Sequence, residues 1–386
     1  MKTRPGHRAL LYIFTSLLFL AILSTSAPHA QTQEPDPGSR VLITGVDING
    51  QGFPLAIVDL RQGTATTLIT FANRPACAPA VFPGGETVLY EPAPLSSPTN
   101  VYRINTATGE RNALPFAPEN RLSCPVVSPD GTAIAWIDHS RPEAPEGVAH
   151  DTLVITDPEL ENPVQVTSAD KIFDVQWSPG SSVLVYQTTT AESPFLELHS
   201  VLRSDSSEPK LIWPTQQGIV QDYIWVNDST GLLIAYYTES ELNVGVLSVE
   251  CIIGTDEACE PQSLASFATD STVSLLSAFS PVSREMVISV QRLNPVTNRP
   301  ISDLWLIDLT GEQPPEQLTF TPDIYETEAH WSTEGDAIYF IGSQLEEDNT
   351  TFRGRIFRLV LDSDAPAEII FESTIFSPGS FLWWYH

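Results

Sequence analysis

Three carboxylates stand at equivalent places in a chain that repeats itself. Asp174, Asp222 and Glu328 each lie three residues ahead of a tryptophan, Trp177, Trp225 and Trp331. If the three converge on one point, they can hold a cation or the basic end of a peptide. If they stay apart, each caps turn N–H groups of its own repeat, a role that needs no geometry between repeats. The capping role is therefore the plainer expectation. A second constellation pairs Asp138-His139 with His150-Asp151 across one Pro-rich segment. Two imidazoles and two carboxylates make a donor set for a transition metal. Such a connection is exposed and polar in any case, and no metal is expected there. A third is the aromatic end, Trp383-Trp384-Tyr385-His386, which could dock a partner or stack on sugar. A strand would bury one face of it in the core.

The elements that must position these groups come from an internal repeat. Its unit is a short apolar strand, a tight turn, and a second apolar strand. The clearest copy is Cys124-Pro-Val-Val-Ser-Pro-Asp-Gly-Thr-Ala-Ile-Ala-Trp-Ile137. Pro129 presets φ for the turn, and Gly131 tolerates the positive φ that follows. Copies recur over 79–90, 174–186, 222–236, 277–289, 328–340 and 373–385, at steps of 45 to 54 residues. Each is followed by a second hairpin, as in Asp303–Thr319 (DLWLIDLTGEQPPEQLT). A period of that length fits a four-stranded propeller blade.

The expected fold is all-β: one β-propeller over residues 41–386, of about seven four-stranded blades, with six or eight as alternatives. The ends support closure. Residues 52–70 form a second hairpin without a first, and residues 373–386 a first without a second. A C-terminal hairpin joined to N-terminal outer strands would close the ring and remove exposed sheet edges. Val41–Val46 competes with Phe381–Tyr385 for one strand position in that blade. Trp177, Trp225 and Trp331 are expected to pack between blades.

At Val127-Ser-Pro-Asp-Gly131, Trp177-Ser-Pro-Gly180, Phe279-Ser-Pro281, Trp331-Ser-Thr-Glu-Gly335 and Phe376-Ser-Pro-Gly379 the chain resembles the TolB-like, WD40-like repeat family. The resemblance implies a propeller and no particular activity, because one fold hosts many. TolB carries an extra α/β domain for which this chain has no room. Prolyl oligopeptidase-type enzymes add a hydrolase domain, whose Gly-x-Ser-x-Gly elbow is not found here. Walker, Rossmann, His-Glu-x-x-His and EF-hand motifs are also missing, and no cofactor is expected.

The charge narrows the partners. The 386 residues carry 48 acids against 19 bases, a net charge of −29. Such a surface repels nucleic acid and anionic headgroups. A basic start, an apolar run over Ala9–Leu23 and a small-residue exit to Ala30 read as a signal peptide or an uncleaved anchor, followed by a polar linker over 31–40. An exported chain permits disulfides. Cys251 and Cys259 enclose a short loop and are expected to pair, leaving Cys77 for Cys124; three pairings are formally open. The expectation is a non-enzymatic binding scaffold in the envelope or outside the cell. Its partner would be a protein or peptide, or else a polysaccharide, with membrane contact only through the N-terminal segment. The alternative is an enzyme or carbohydrate-binding propeller using Asp174, Asp222 and Glu328.

Overall fold

The computed structural model describes residues 40–48, 52–75, 77–92, 101–114, 122–139, 150–189, 196–203, 208–214, 217–254, 259–345, 352–363 and 365–385. The expectations for the N-terminal signal or anchor and for His386 lie outside these residues. The described residues hold 28 strands and one short helix, Val249–Ile253. No helix among them is long and apolar enough to cross a membrane.

The strands form five four-stranded sheets and one of eight. The larger sheet is two blades joined by a single parallel pair, Ser302 beside Tyr325. Seven four-stranded blades result, as the repeat requires. We number them by chain order of their innermost strands' partners. Blade 1 has Phe376–Tyr385 innermost, then Arg40–Asp47, Phe53–Asp59 and Thr64–Phe71. The innermost strands of blades 2 to 7 are Ala80–Val81, Leu122–Val127, Lys171–Trp177, Ile219–Trp225, Thr272–Phe279 and Ile324–Trp331.

Seven apolar clusters, one between each pair of neighbouring blades, provide an independent count. Strand alternation produces them: in Arg40–Asp47, Leu42 faces blade 2 while Val41 and Ile43 face blade 7. Both faces of every blade are buried, so second strands read as continuous apolar runs, such as Val183-Leu-Val-Tyr186.

The turns form for the reasons visible in the sequence. Gly131 N–H donates to Ser128 O (2.8 Å), with Gly131 at φ 69°. The hydroxyls of Ser128, Ser178 and Ser332 accept from Ala133, Val183 and Ala337 N–H at 3.0–3.1 Å. The tryptophans join blades as expected. Trp177 Nε1–H donates to Val126 O (2.9 Å) and Trp331 Nε1–H to Ala278 O (2.8 Å), each in the preceding blade. Trp225 is buried.

The closing blade differs from the expectation in two ways. The C-terminus supplies one strand of ten residues, not a hairpin, and Phe376-Ser-Pro-Gly379 is strand rather than turn. The reason is occupancy: three N-terminal strands already fill the blade, so only the innermost place is open. The competition between Val41–Val46 and Phe381–Tyr385 dissolves, because they are neighbours, with Val41 opposite Trp384. Two register shifts, between Leu42 and Ile43 and between Thr44 and Gly45, absorb Leu382 and Gly379 as bulges, with Pro378 opposite Gly45. Arg40, read as the end of the linker, opens the first strand.

Both disulfides join the expected partners. Cys77–Cys124 spans 47 residues and Cys251–Cys259 spans 8. Closing the longer loop removes more freedom from the unfolded chain. Cys77→Ser with Cys124→Ser is expected to cost about 4 kcal/mol, against about 2.5 kcal/mol for the Cys251/Cys259 pair. Urea melts of the two double variants check this, and a larger loss for the short loop would contradict it.

Candidate functional site

The inner strands of blades 3 to 7 each break register once near the middle. The shifts fall between Ser123 and Val126, Phe173 and Gln176, Val220 and Asp222, Ser274 and Ala278, and Thr327 and His330. Cys124, Asp174 and Glu328 occupy the breaks at φ 51°, 49° and 52°. A bulge re-aims the side chain it carries, and a non-glycine residue at positive φ holds only where its surroundings enforce it. At Cys124 and Glu328 the neighbouring blade contributes to that enforcement.

The carboxylates bridge blades. Asp222 Oδ2 accepts from Leu275 N–H of blade 6 (2.7 Å), and Oδ1 from its own Tyr223 N–H (2.8 Å). Glu328 of blade 7 bonds Ser380 and the Phe381 N–H of blade 1. Capping within the blade is thus only part of the account. Glu91, not singled out from sequence, and Asp151, noted there only as a candidate metal ligand beside His150, play the same part. Glu91 Oε2 accepts from Cys124 N–H (2.9 Å), and Asp151 Oδ2 from Ile172 N–H (3.1 Å). Their signal was present, an acid at the end of a second strand or the start of a third, but it carries no mark of the partner blade.

Asp174 and Asp222, on adjacent blades, sense each other. Burial raises the Asp222 carboxyl to about 6; the Leu275 N–H opposes this and the Asp174 charge adds to it. Asp174 opens to solvent on one side, yet protein crowding on the others lifts it as well, against the bond from Gln176. Glu328 sits two blades on from Asp222, engaged with blade 1, and burial pushes it to about 7. The structure therefore places two of the three acids together and the third elsewhere.

A cavity of about 690 Å³ opens where the inner strands of blades 2, 3 and 4 begin. Pro79, Val81, Pro125, Ile137, Phe173 and Val175 form its apolar wall. Its polar edge is His139, Asp151, Lys171 and Asp174, and the Cys77–Cys124 disulfide borders it. His139 Nδ1 bonds Asp151 Oδ1 at 2.7 Å, and Lys171 Nζ approaches the same oxygen at 3.6 Å. The Asp151 bond occupies Nδ1 and leaves Nε2 as the imidazole nitrogen for a ligand. Glu91, 2% exposed, lies behind this edge, where burial raises its carboxyl against the Cys124 N–H and the His139 ring. Its Oε1 has no hydrogen-bond partner.

The pairing of Asp138-His139 with His150-Asp151 is resolved by this geometry. His139 takes Asp151, while His150 pairs with Asp170 at 3.0 Å. The four side chains do not share one centre. Cys77, Cys124 and Glu91 carry ligand atoms within 4.8 Å of one another, but the sulfurs are spent on the disulfide. Trp384 is core, stacked on His330 with centroids 4.3 Å apart. Trp383 is half-buried over Gly85, where an added Cβ would lie 2.4 Å from the indole Cδ1.

No family model matches the chain, and no curated protein matches it. Solved structures do. An oligogalacturonate lyase in complex with manganese is similar with a TM-score of 0.61 at 13% identity, over 84% of this chain and 87% of the lyase. A prolyl endopeptidase gives 0.61 at 11%, over 86% of this chain and 48% of the enzyme. TolB from Acinetobacter baumannii gives 0.48 at 13%, over 72% of this chain and 63% of TolB. The chain thus spans less than two thirds of TolB and about half of the peptidase. At such identities the likeness is one of fold, and the chain is a β-propeller of the kind found in these proteins.

Proposed function

We propose that this is an exported, non-enzymatic binding propeller that takes its ligand at the mouth cavity of blades 2 to 4. The observation that carries the reading is the cavity itself: about 690 Å³, apolar-walled, with a few convergent polar groups. Two disulfides and the apolar N-terminal run support the compartment. A photo-crosslinking amino acid in place of Phe173 tests it. Phe173 is exposed on the cavity wall; Val282, exposed in a turn at the far end of blade 6, is the control. Discrete adducts from position 173 and none from 282, in intact envelopes, are expected. Equal labelling from both positions, or none from 173, would overturn the reading.

The His139–Asp151 pair favours a second reading, acid–base chemistry on a bound ligand. Turnover of a uronate oligosaccharide, lost in His139→Gln, would replace the binding reading with that one.

A further inference from the structure

We propose that the mouth receives a basic peptide segment with an aliphatic or aromatic anchor, the anchor on the apolar cavity wall and the cation between Asp174 and Asp222. The inference rests on the mouth-binding reading above and names its ligand class. Its support begins with which residues share a face. Bonds between equivalent positions of neighbouring inner strands show that these strands all run in one sense. Gln221 pairs with the Val273 backbone, and Trp177 and Trp331 reach Val126 and Ala278. The starts of inner strands and the loops joining second to third strands therefore share the mouth face. The Ser-Pro turns lie on the opposite face.

The described residues include thirteen exposed large apolar side chains. Eight sit on the mouth face, among them Val46, Phe173, Ile219, Val296, Phe320 and Ile375, with Val296 at 91% and Phe320 at 74% exposure. Apolar groups gathered on one face, around an apolar-walled cavity, mark a docking surface rather than scatter.

Charge chooses among occupants. The chain carries −29, which disfavours a second copy or an acidic partner. Asp174 and Asp222 face each other's charge, and neither is paired with a cation among the described residues. Their partners are Gln176 and the N–H groups of Tyr223 and Leu275. An ammonium or guanidinium seated there would relieve that repulsion. It would also leave Lys171 to Asp151, its present partner.

The test is fluorescence anisotropy on the full chain with three labelled probes: a hexapeptide of alternating leucine and lysine, the same peptide with glutamate for lysine, and trigalacturonate. The basic peptide is expected to bind at least about tenfold tighter than the acidic one. Asp174→Asn and Phe173→Ala should each weaken it by about tenfold with unchanged melting temperatures. Asp308→Asn, in an exposed turn on the far face, should leave affinity unchanged. Equal binding of the acidic peptide, or basic-peptide binding indifferent to Asp174 and Phe173, would overturn the proposal as general attraction to an acidic protein. Phe173-dependent binding of trigalacturonate alone would overturn the peptide ligand while sparing the mouth site. Failure of every probe, with no crosslink from position 173, would overturn both.

Discussion

Deleting residues 376–386 is expected to abolish the cooperative fold, not to trim one edge of it. Phe376–Tyr385 pairs along its length with Arg40–Asp47 and is, among the described residues, the only strand from the C-terminal end in the sheet of the N-terminal strands. Its Phe376 and Trp384 complete the cluster that joins blade 7, through Ile341, Ile356 and Phe371, to Val41 and Ile43 of blade 1. Without it the ring opens, two apolar blade faces meet water, and Arg40–Asp47 becomes an unpaired edge. Aggregation, or a broad melt at much lower temperature, is the expected result by circular dichroism and light scattering. The single substitution Trp384→Ala separates closure from truncation. The indole is 7% exposed and stacks on His330, so its removal should cost about 3–5 kcal/mol. A truncated chain that melts like the intact one would show that six blades and an open three-stranded sheet suffice.

Stability should fall as pH rises from about 4 to 7, the reverse of most proteins' response to mild acid. Five acids are raised in the folded state, Glu91 and Asp174 as described above and three others by larger shifts. Asp222 rises from 3.8 to about 6, and Glu326 and Glu328 from 4.5 to about 7. Burial is the leading cause for each. Glu326, fully buried, is further raised by Asp303 despite hydroxyl donors from Thr319 and Thr321. Between its two values each acid keeps its proton in the folded chain and loses it in the unfolded one. The folded state then binds more protons, and the unfolding free energy declines with pH until about 7, where it levels. The fully buried Glu326 sets the scale, on the order of 3 kcal/mol. Asp222 and Glu328 are only partly buried, which reduces their share. Exposed acids shifted the other way, such as Asp308 held low by Thr310, act only as pH falls below about 4 and add little. Urea melts at pH 5.0 and 8.0 check the sign, with the midpoint expected higher at 5.0. Glu328→Gln should flatten the slope while leaving the pH 5.0 value within about 1 kcal/mol. A midpoint that rises with pH would contradict the assignment.

Much of the molecule was legible in the residues. Turn chemistry at Ser128-Pro-Asp-Gly131 and its copies, with continuous apolar second strands, is local and repeats. It therefore announced the blade and a count of about seven, with six and eight left open. The disulfide partners were legible for a related reason: Cys251 and Cys259 are near in sequence, and two cysteines then remained. The candidate site was legible only in pieces. His139 and Asp151 stood out as chemistry-bearing residues, and Asp174 and Asp222 as equivalent acids, but not the arrangement that groups them.

The sequence by itself determined the elements, because strand alternation, turn residues and repeat spacing are written within a few dozen residues. Only the tertiary structure decided what the acids touch. Asp222, Glu328, Glu91 and Asp151 each cap a backbone N–H of the next blade's inner strand. That partner lies about 20 to 50 residues away and is a peptide group with no side-chain signature. The same holds for the closing strand and for the split of His139 from His150. Both depend on which places other strands had already filled, a condition set by the closed ring and not by any segment of it.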